Sequence, residues 1–214
     1  MKKGCILCLL ISVISLPLIA QNIIYSNLKE LLAQHGDTTA VLRVEKRSRN
    51  QIVLTGGADY RITAGDDELM CRRLKKRCFA VRDEKGDLYL NCRKLRYKKL
   101  RFGAWYAPAV QLGKNIYFCA MPLGSVIGGN FVEEDDVKLG GNIGDALAAS
   151  SLVTKRVCYE LNGETGKVDF LGKDKMLQLL ENYPELKQAY LKDDSQEAKH
   201  TFKYLLELQN KQKK

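Results

Sequence analysis

Ala109-Val110-Gln111-Leu112-Gly113-Lys114-Asn115-Ile116-Tyr117-Phe118-Cys119 is the stretch that decides the fold. Two short apolar runs flank a polar three-residue turn containing glycine, which is the local grammar of an antiparallel hairpin. Upstream, Cys78-Phe79-Ala80-Val81 and Leu88-Tyr89-Leu90 flank Asp83-Glu84-Lys85-Gly86-Asp87 in the same way. Downstream, Val157-Cys158-Tyr159-Glu160-Leu161 and Lys167-Val168-Asp169-Phe170-Leu171 flank Asn162-Gly163-Glu164-Thr165-Gly166. Three such units predict an antiparallel sheet.

Toward the N-terminus, Leu28, Leu31 and Leu32 recur at helical spacing between Asn27 and Gln34, and His35-Gly36-Asp37 supplies a stop. From Ala40 the period changes to that of strands: Val41-Leu42-Arg43-Val44, Gln51-Ile52-Val53-Leu54 and Asp59-Tyr60-Arg61-Ile62, with a turn at Gly56-Gly57. Between the second and third hairpins a Gly-rich approach leads into Ala146-Leu147-Ala148-Ala149, a candidate helix. After Gly172 the pattern is helical. Lys173 to Asn182 is interrupted by Tyr183-Pro184, Glu185 to Leu191 resumes, and a last helix runs from Gln196 to about Asn210. Strands first and helices last predict an α+β protein with an antiparallel β-sheet core and a helical C-terminal segment. The expected divisions are a leader at 1–20, a mainly antiparallel β domain at 21–172, and helices at 173–214 that pack on the sheet or extend from it.

The leader reads as a secretory signal peptide. Lys2 and Lys3 form a positive start, residues 5 to 20 are almost wholly apolar, and Pro17 interrupts the run just ahead of Leu18-Ile19-Ala20. Cleavage is expected before Gln21, although Leu18 is bulkier than the usual small residue and Val13-Ile14-Ser15 offers an earlier site. Roughly fifteen apolar residues fall short of the ~20 that span a bilayer, so no transmembrane helix is expected in the mature chain. An exported location follows: periplasmic, outer-membrane-associated or extracellular.

Cys5 and Cys8 leave with the leader, so their C-x-x-C spacing is not a redox or zinc motif. Five cysteines remain: Cys71, Cys78, Cys92, Cys119 and Cys158. In an oxidising compartment an odd count permits at most two bridges and one spare thiol, and the pairing stays open. Cys92 and Cys119 lie in apolar runs and read as small buried hydrophobes. Cys71 and Cys78 flank a basic segment and are one candidate pair. No grouping of four Cys or His ligands suits structural zinc, and neither metal nor cofactor is expected.

Charge is concentrated. Arg72, Arg73, Lys75, Lys76, Arg77, Arg82, Lys85, Arg93, Lys94, Arg96, Lys98, Lys99 and Arg101 face only Asp83, Glu84 and Asp87 in the same segment, a local excess equal to the whole chain's net +10. The clusters 72–77 and 93–101 flank a predicted hairpin, so folding can bring them onto one surface that attracts polyanions. Trp105 follows closely, and an aromatic beside guanidinium groups suits sugar rings or nucleobases equally well. The competing explanation is a solvated strand face whose aliphatic stems shield the sheet. Arg72, Arg73, Lys75, Lys76, Arg77, Arg93, Lys94, Arg96, Lys98, Lys99, Arg101 and Trp105 are therefore the candidate ligand-binding residues, and an anionic glycan, glycolipid or peptidoglycan is the expected partner. Nucleic acid is not expected.

Catalytic signatures are sparse. His35 and His200 are the only histidines, so a nucleophile served by His has few partners. Leu123-Gly124-Ser125 lacks the glycine two residues before Ser that a nucleophile elbow needs, and Gly140-Gly141-Asn142-Ile143-Gly144 is not a dinucleotide or phosphate loop. The acidic run Glu133-Glu134-Asp135-Asp136 lacks the spacing of a calcium loop. A binding protein is expected ahead of an envelope hydrolase with acidic catalytic residues, or a structural subunit of an envelope assembly.

Four strings carry a resemblance: 54–62 (LTGGADYRI), 88–97 (LYLNCRKLRY), 101–108 (RFGAWYAP) and 138–151 (KLGGNIGDALAASS). Together they resemble an uncharacterised family of short exported proteins from gut-type Gram-negative bacteria, a domain of unknown function covering most of the mature chain. The resemblance implies export and assigns no residue a role.

Overall fold

The structure is a computed structural model that describes residues 21–39, 41–48, 51–52, 57–97, 100–120, 156–193 and 198–213. Its centre is the hairpin predicted from 109–119. β-branched and aromatic residues run on either side of a Gly113-Lys114 turn, and Gly113 takes a φ of 58° that a side chain would disfavour. The strands are numbered in chain order: β1 (Asn22–Tyr25), β2 (Asp37–Thr39), β3 (Arg43–Lys46), β4 (Tyr60–Thr63), β5 (Ala80–Arg82) and β6 (Leu88–Asn91). The others are β7 (Arg96–Tyr97), β8 (Leu100–Arg101), β9 (Tyr106–Leu112), β10 (Asn115–Ala120), β11 (Val157–Leu161) and β12 (Val168–Phe170). Ten of them make one antiparallel sheet with a main path β12-β11-β10-β9-β6-β5-β1-β2, while β7 and β8 pair separately. β4 joins through a single pair, Tyr60 with Tyr106 at the start of β9, and carries β3 as an outer hairpin.

Among the described residues five helices flank the sheet, besides the helical pair at 51–52: α1 (Leu28–Leu32), α2 (Glu68–Lys76), α3 (Lys173–Leu179), α4 (Pro184–Lys192) and α5 (Ala198–Gln212). A 3₁₀ turn covers Cys92–Lys94. All four residues of β6 are buried and so are five of six in β10, because both faces of the sheet are covered. On one face Tyr25, Leu90, Phe118 and Tyr159 pack with Leu31 of α1 and with Leu95 and Phe102 beside the β7–β8 pair. On the other, Val110, Tyr117 and Cys158 meet Met176, Leu180, Leu186, Leu205 and Leu208 of the C-terminal helices. The remaining end of that face packs Ile24, Val81, Tyr89 and Tyr106 against Ile62 of β4 and Leu74 of α2. Each large apolar side chain fully removed from water stabilises the fold by about 1.5–3 kcal/mol, so the helices after Gly172 share the sheet's own core.

Two expectations change. Gln51 and Ile52 are helical, not the start of a strand. The basic stretch 72–77 belongs to α2 and its C-cap, not to a strand face. Asp67 begins that helix by accepting from the Met70 N–H at 2.9 Å, and its last-turn cations oppose the negative end of the helix dipole. Its sparse apolar residues hid it: Leu74 alone is fully buried there, and Leu69 is 76 % exposed.

The cysteine pairing, open in the sequence, is resolved, and the candidate pair Cys71–Cys78 does not form. Cys71 and Cys78 are free, as is Cys92, and the bridge joins Cys119 to Cys158. These two are Cα partners across β10 and β11, a proximity created by a long-range strand pairing. The expected leader (1–20), the acidic run at 133–136, the segments 123–128 and 140–149, and Lys98 and Lys99 lie outside the described residues. No helix among the described residues is long and apolar enough to cross a membrane.

Candidate functional site

β3 and β4 pair in register, with Arg43 opposite Thr63 and Glu45 opposite Arg61. Strand alternation puts these four positions on one face of the hairpin while Val44 and Ile62 pack into the core beneath. The face looks onto a cleft of about 620 Å³. Its cationic lining comes from four elements: Arg43 from β3, Arg61 from β4, Lys75 from α2 and Arg93 from the 3₁₀ turn. Asn91, Trp105 and Tyr106 contribute polar and aromatic wall. A second cavity of about 530 Å³, lined by Lys46, Arg47 and Gln51, shares Glu45, Arg61 and Trp105 with the first.

Trp105 stands where the two spaces meet. Its φ is 75°, a left-handed conformation rarely adopted by a bulky residue and costing roughly 1–3 kcal/mol. Neighbouring hydrogen bonds over-determine that shape. Cys92 N–H donates to the Trp105 carbonyl at 2.9 Å and Ala58 N–H donates to the Ala104 carbonyl at 2.9 Å. Gly103 at φ 86° and Gly57 at φ 80° complete the bend, and Gly57 lets the Ala104 carbonyl approach where a Cβ would collide at 2.4 Å.

The indole carries two guanidinium groups, with the Cζ of Arg47 5.0 Å and that of Arg61 5.8 Å from its ring centre. The two arginines play different parts. Arg47 is buried at 7 % exposure and donates to the carbonyls of Ala58 at 2.7 Å and Gln51 at 2.9 Å. Burial lowers its pKa, Asp59 opposes that shift, and Arg156 adds to it; arginine's intrinsic basicity keeps it charged. Asp59 is held in turn by the Arg156 guanidinium, whose Nε donates to both carboxylate oxygens at 2.9 and 3.0 Å. Arg61 is exposed, so its guanidinium is available above the ring.

Among the described residues, Arg61, Lys75 and Arg93 are in no ion pair. Arg43 meets Glu45 only at 3.8 Å across exposed side chains, a pairing of at most about 1 kcal/mol. Asp66, in the exposed turn before α2, is the other carboxylate of the lining. Cations therefore outnumber carboxylates around an aromatic plane, an arrangement suited to a carboxylate- or phosphate-bearing ring. No group of three or more metal-ligating side chains occurs among the described residues. His200 is tied to Asp193 at 2.8 Å between α4 and α5, so it serves helix packing.

Of the residues singled out from sequence, Lys75, Arg93 and Trp105 reach the cleft. Arg73 turns to Asp37 on β2. Arg72, Lys76, Arg77 and Lys94 are exposed and line neither cavity, and Arg96 and Arg101 sit opposite each other on β7 and β8. Arg43, Lys46, Arg47 and Arg61 were missed because they lie outside the dense basic segment. For Arg43 and Arg61 the signal was the single cation within the strand patterns 41–44 and 59–62; Lys46 and Arg47 lay in none of the patterns.

Searches of curated proteins and of solved structures return no match to this chain. Residues 23–212 match the model of a family of unknown function, DUF6563, and the chain belongs to that family.

Proposed function

We propose that this is an exported, non-catalytic binding protein whose Trp105 cleft takes an anionic carbohydrate. The observation that carries the reading is that Arg61, Lys75 and Arg93, in no ion pair among the described residues, line the same cleft as Trp105, with the Arg61 guanidinium over the indole. Cations of three elements line it, while Arg47, also over the indole, is locked by buried hydrogen bonds. A strained backbone at an aromatic facing a cleft is the kind of feature that a binding role maintains. The concave wall favours a sugar chain over a lipid surface, for which an outward-facing basic and apolar patch would be the natural design. Export is supported by the leader-like first twenty residues and agrees with the Cys119–Cys158 bridge.

The test is retention of the protein on immobilised polygalacturonate across a salt series, beside a neutral polysaccharide. Retention should fall as salt rises, because the contacts are screened charges. Lys75→Glu and Arg93→Glu should abolish it, whereas Arg96→Glu, outside both cavities, should not. No retention at low salt, or equal damage from Arg96→Glu, would overturn the reading. So would capture by anionic phospholipid vesicles in preference to the polysaccharide.

A further inference from the structure

The two cavities are not independent. Glu45, Arg61 and Trp105 line both, so the spaces adjoin at these three residues, and each has a cation of its own. Exposed Lys46 lines only the smaller space, and exposed Lys75 and Arg93 line only the larger. Each space lies within the 300–1,000 Å³ typical of a small-molecule site, so together they exceed what one sugar residue fills.

We propose that the adjoining cavities bind an acidic oligosaccharide as a chain of at least two sugar residues. One anionic group meets Lys46, a ring lies at Trp105, and a further anionic group meets Lys75 and Arg93. Arg61 stands in both cavities and is the shared contact at the junction. This rests on the reading of the cleft as a carbohydrate site and adds a length requirement to it. The physical basis is effective concentration: once one unit is held, the next binds as an intramolecular step, and affinity rises only while added units find a subsite.

Trp105 is the only tryptophan in the chain, so its emission reports on these cavities alone. Galacturonic acid and its di-, tri- and tetramers are titrated at low salt against the full mature chain. Affinity should rise at least tenfold from the monomer to the length that spans both cavities and then level off. Lys46→Ala and Lys75→Ala, each altering a different cavity, should each flatten that rise to within about threefold, and Arg96→Ala should leave it intact. Equal affinity for monomer and tetramer would overturn the two-subsite proposal while leaving the cleft a carbohydrate site. A rise untouched by Lys46→Ala would also overturn it. No binding at any length, by emission and by column retention alike, would overturn both this proposal and the function on which it rests.

Discussion

The side-chain amide of Asn91 donates to the backbone carbonyl of Leu74 at 3.1 Å, joining the end of β6 to the last turn of α2. The same amide donates to the Cys78 carbonyl at 2.9 Å, and Tyr106 of β9 adds its hydroxyl to Leu74 at 2.8 Å. Helix ends leave carbonyls without intrahelical partners, and here two strands of the sheet satisfy them. The residue after Leu74 is Lys75, so this anchoring sets where one wall of the cleft stands.

Asn91→Ala should therefore be destabilising well beyond an average substitution. It removes two buried hydrogen bonds and leaves the Cys78 carbonyl without that donor, at a cost of about 2–3 kcal/mol. Urea unfolding should show the midpoint falling with little change in slope. A loss under 1 kcal/mol would mean that Tyr106 alone suffices to hold the helix end.

Gly57 and Gly86 have nearly the same backbone conformation, at φ 80° and 86°, and very different surroundings. A Cβ on Gly57 would lie 2.4 Å from the Ala104 carbonyl oxygen and 2.8 Å from the Trp105 ring, whereas nothing lies within 4 Å of one on Gly86. Gly86→Ala should cost only the left-handed backbone penalty, about 1–2 kcal/mol. Gly57→Ala should cost more and shift the tryptophan emission, because Ala104 and Trp105 must move. Equal unfolding midpoints for the two variants would refute the role given to Gly57.

Alkaline pH should loosen the fold through two thiols. Burial pushes Cys78 up to about 11, against a hydrogen bond with Tyr106 and the charge of Arg73. Burial also pushes Cys92 up to about 12, and Asp59 adds to the shift. In the unfolded chain both ionise near 9, so above that pH the native state holds more protons and stability falls as pH rises. The contribution is complete below pH 9 and is lost progressively through 11 to 12, at about 1.4 kcal/mol per pH unit for each thiol. Urea midpoints at pH 8 and pH 10 should differ accordingly, and the difference should shrink in a Cys78→Ala, Cys92→Ala variant. An unchanged difference would show that neither thiol is held neutral.

The hairpins and the C-terminal helices were legible because their signals are short-range. Gly113 takes the positive φ that its turn needs, and the apolar residues of 173–210 recur at helical spacing. α2 was not legible, since its cations dominate the composition and its packing depends on Leu74 alone being fully buried. Cys119 read as a buried hydrophobe; it is buried, but its partner Cys158 is brought opposite it only by the pairing of β10 with β11. The resemblance carried by strings such as 101–108 agrees with the family match over 23–212, and Trp105 within that string was already a candidate.

By itself the sequence determined the three hairpins with their turns, the helices after Gly172, and an α+β architecture built on an antiparallel sheet. These depend on local backbone preference and side-chain period, which neighbours within a few residues decide. Only the tertiary structure decided that Arg61 of β4, Lys75 of α2 and Arg93 after β6 share one cleft, and that most of the dense basic segment does not. That convergence is made by pairings such as Tyr60 with Tyr106 and by the anchoring of α2 on Asn91 and Tyr106. Charge density along a chain records how many cations are near in sequence, whereas a site requires them near in space.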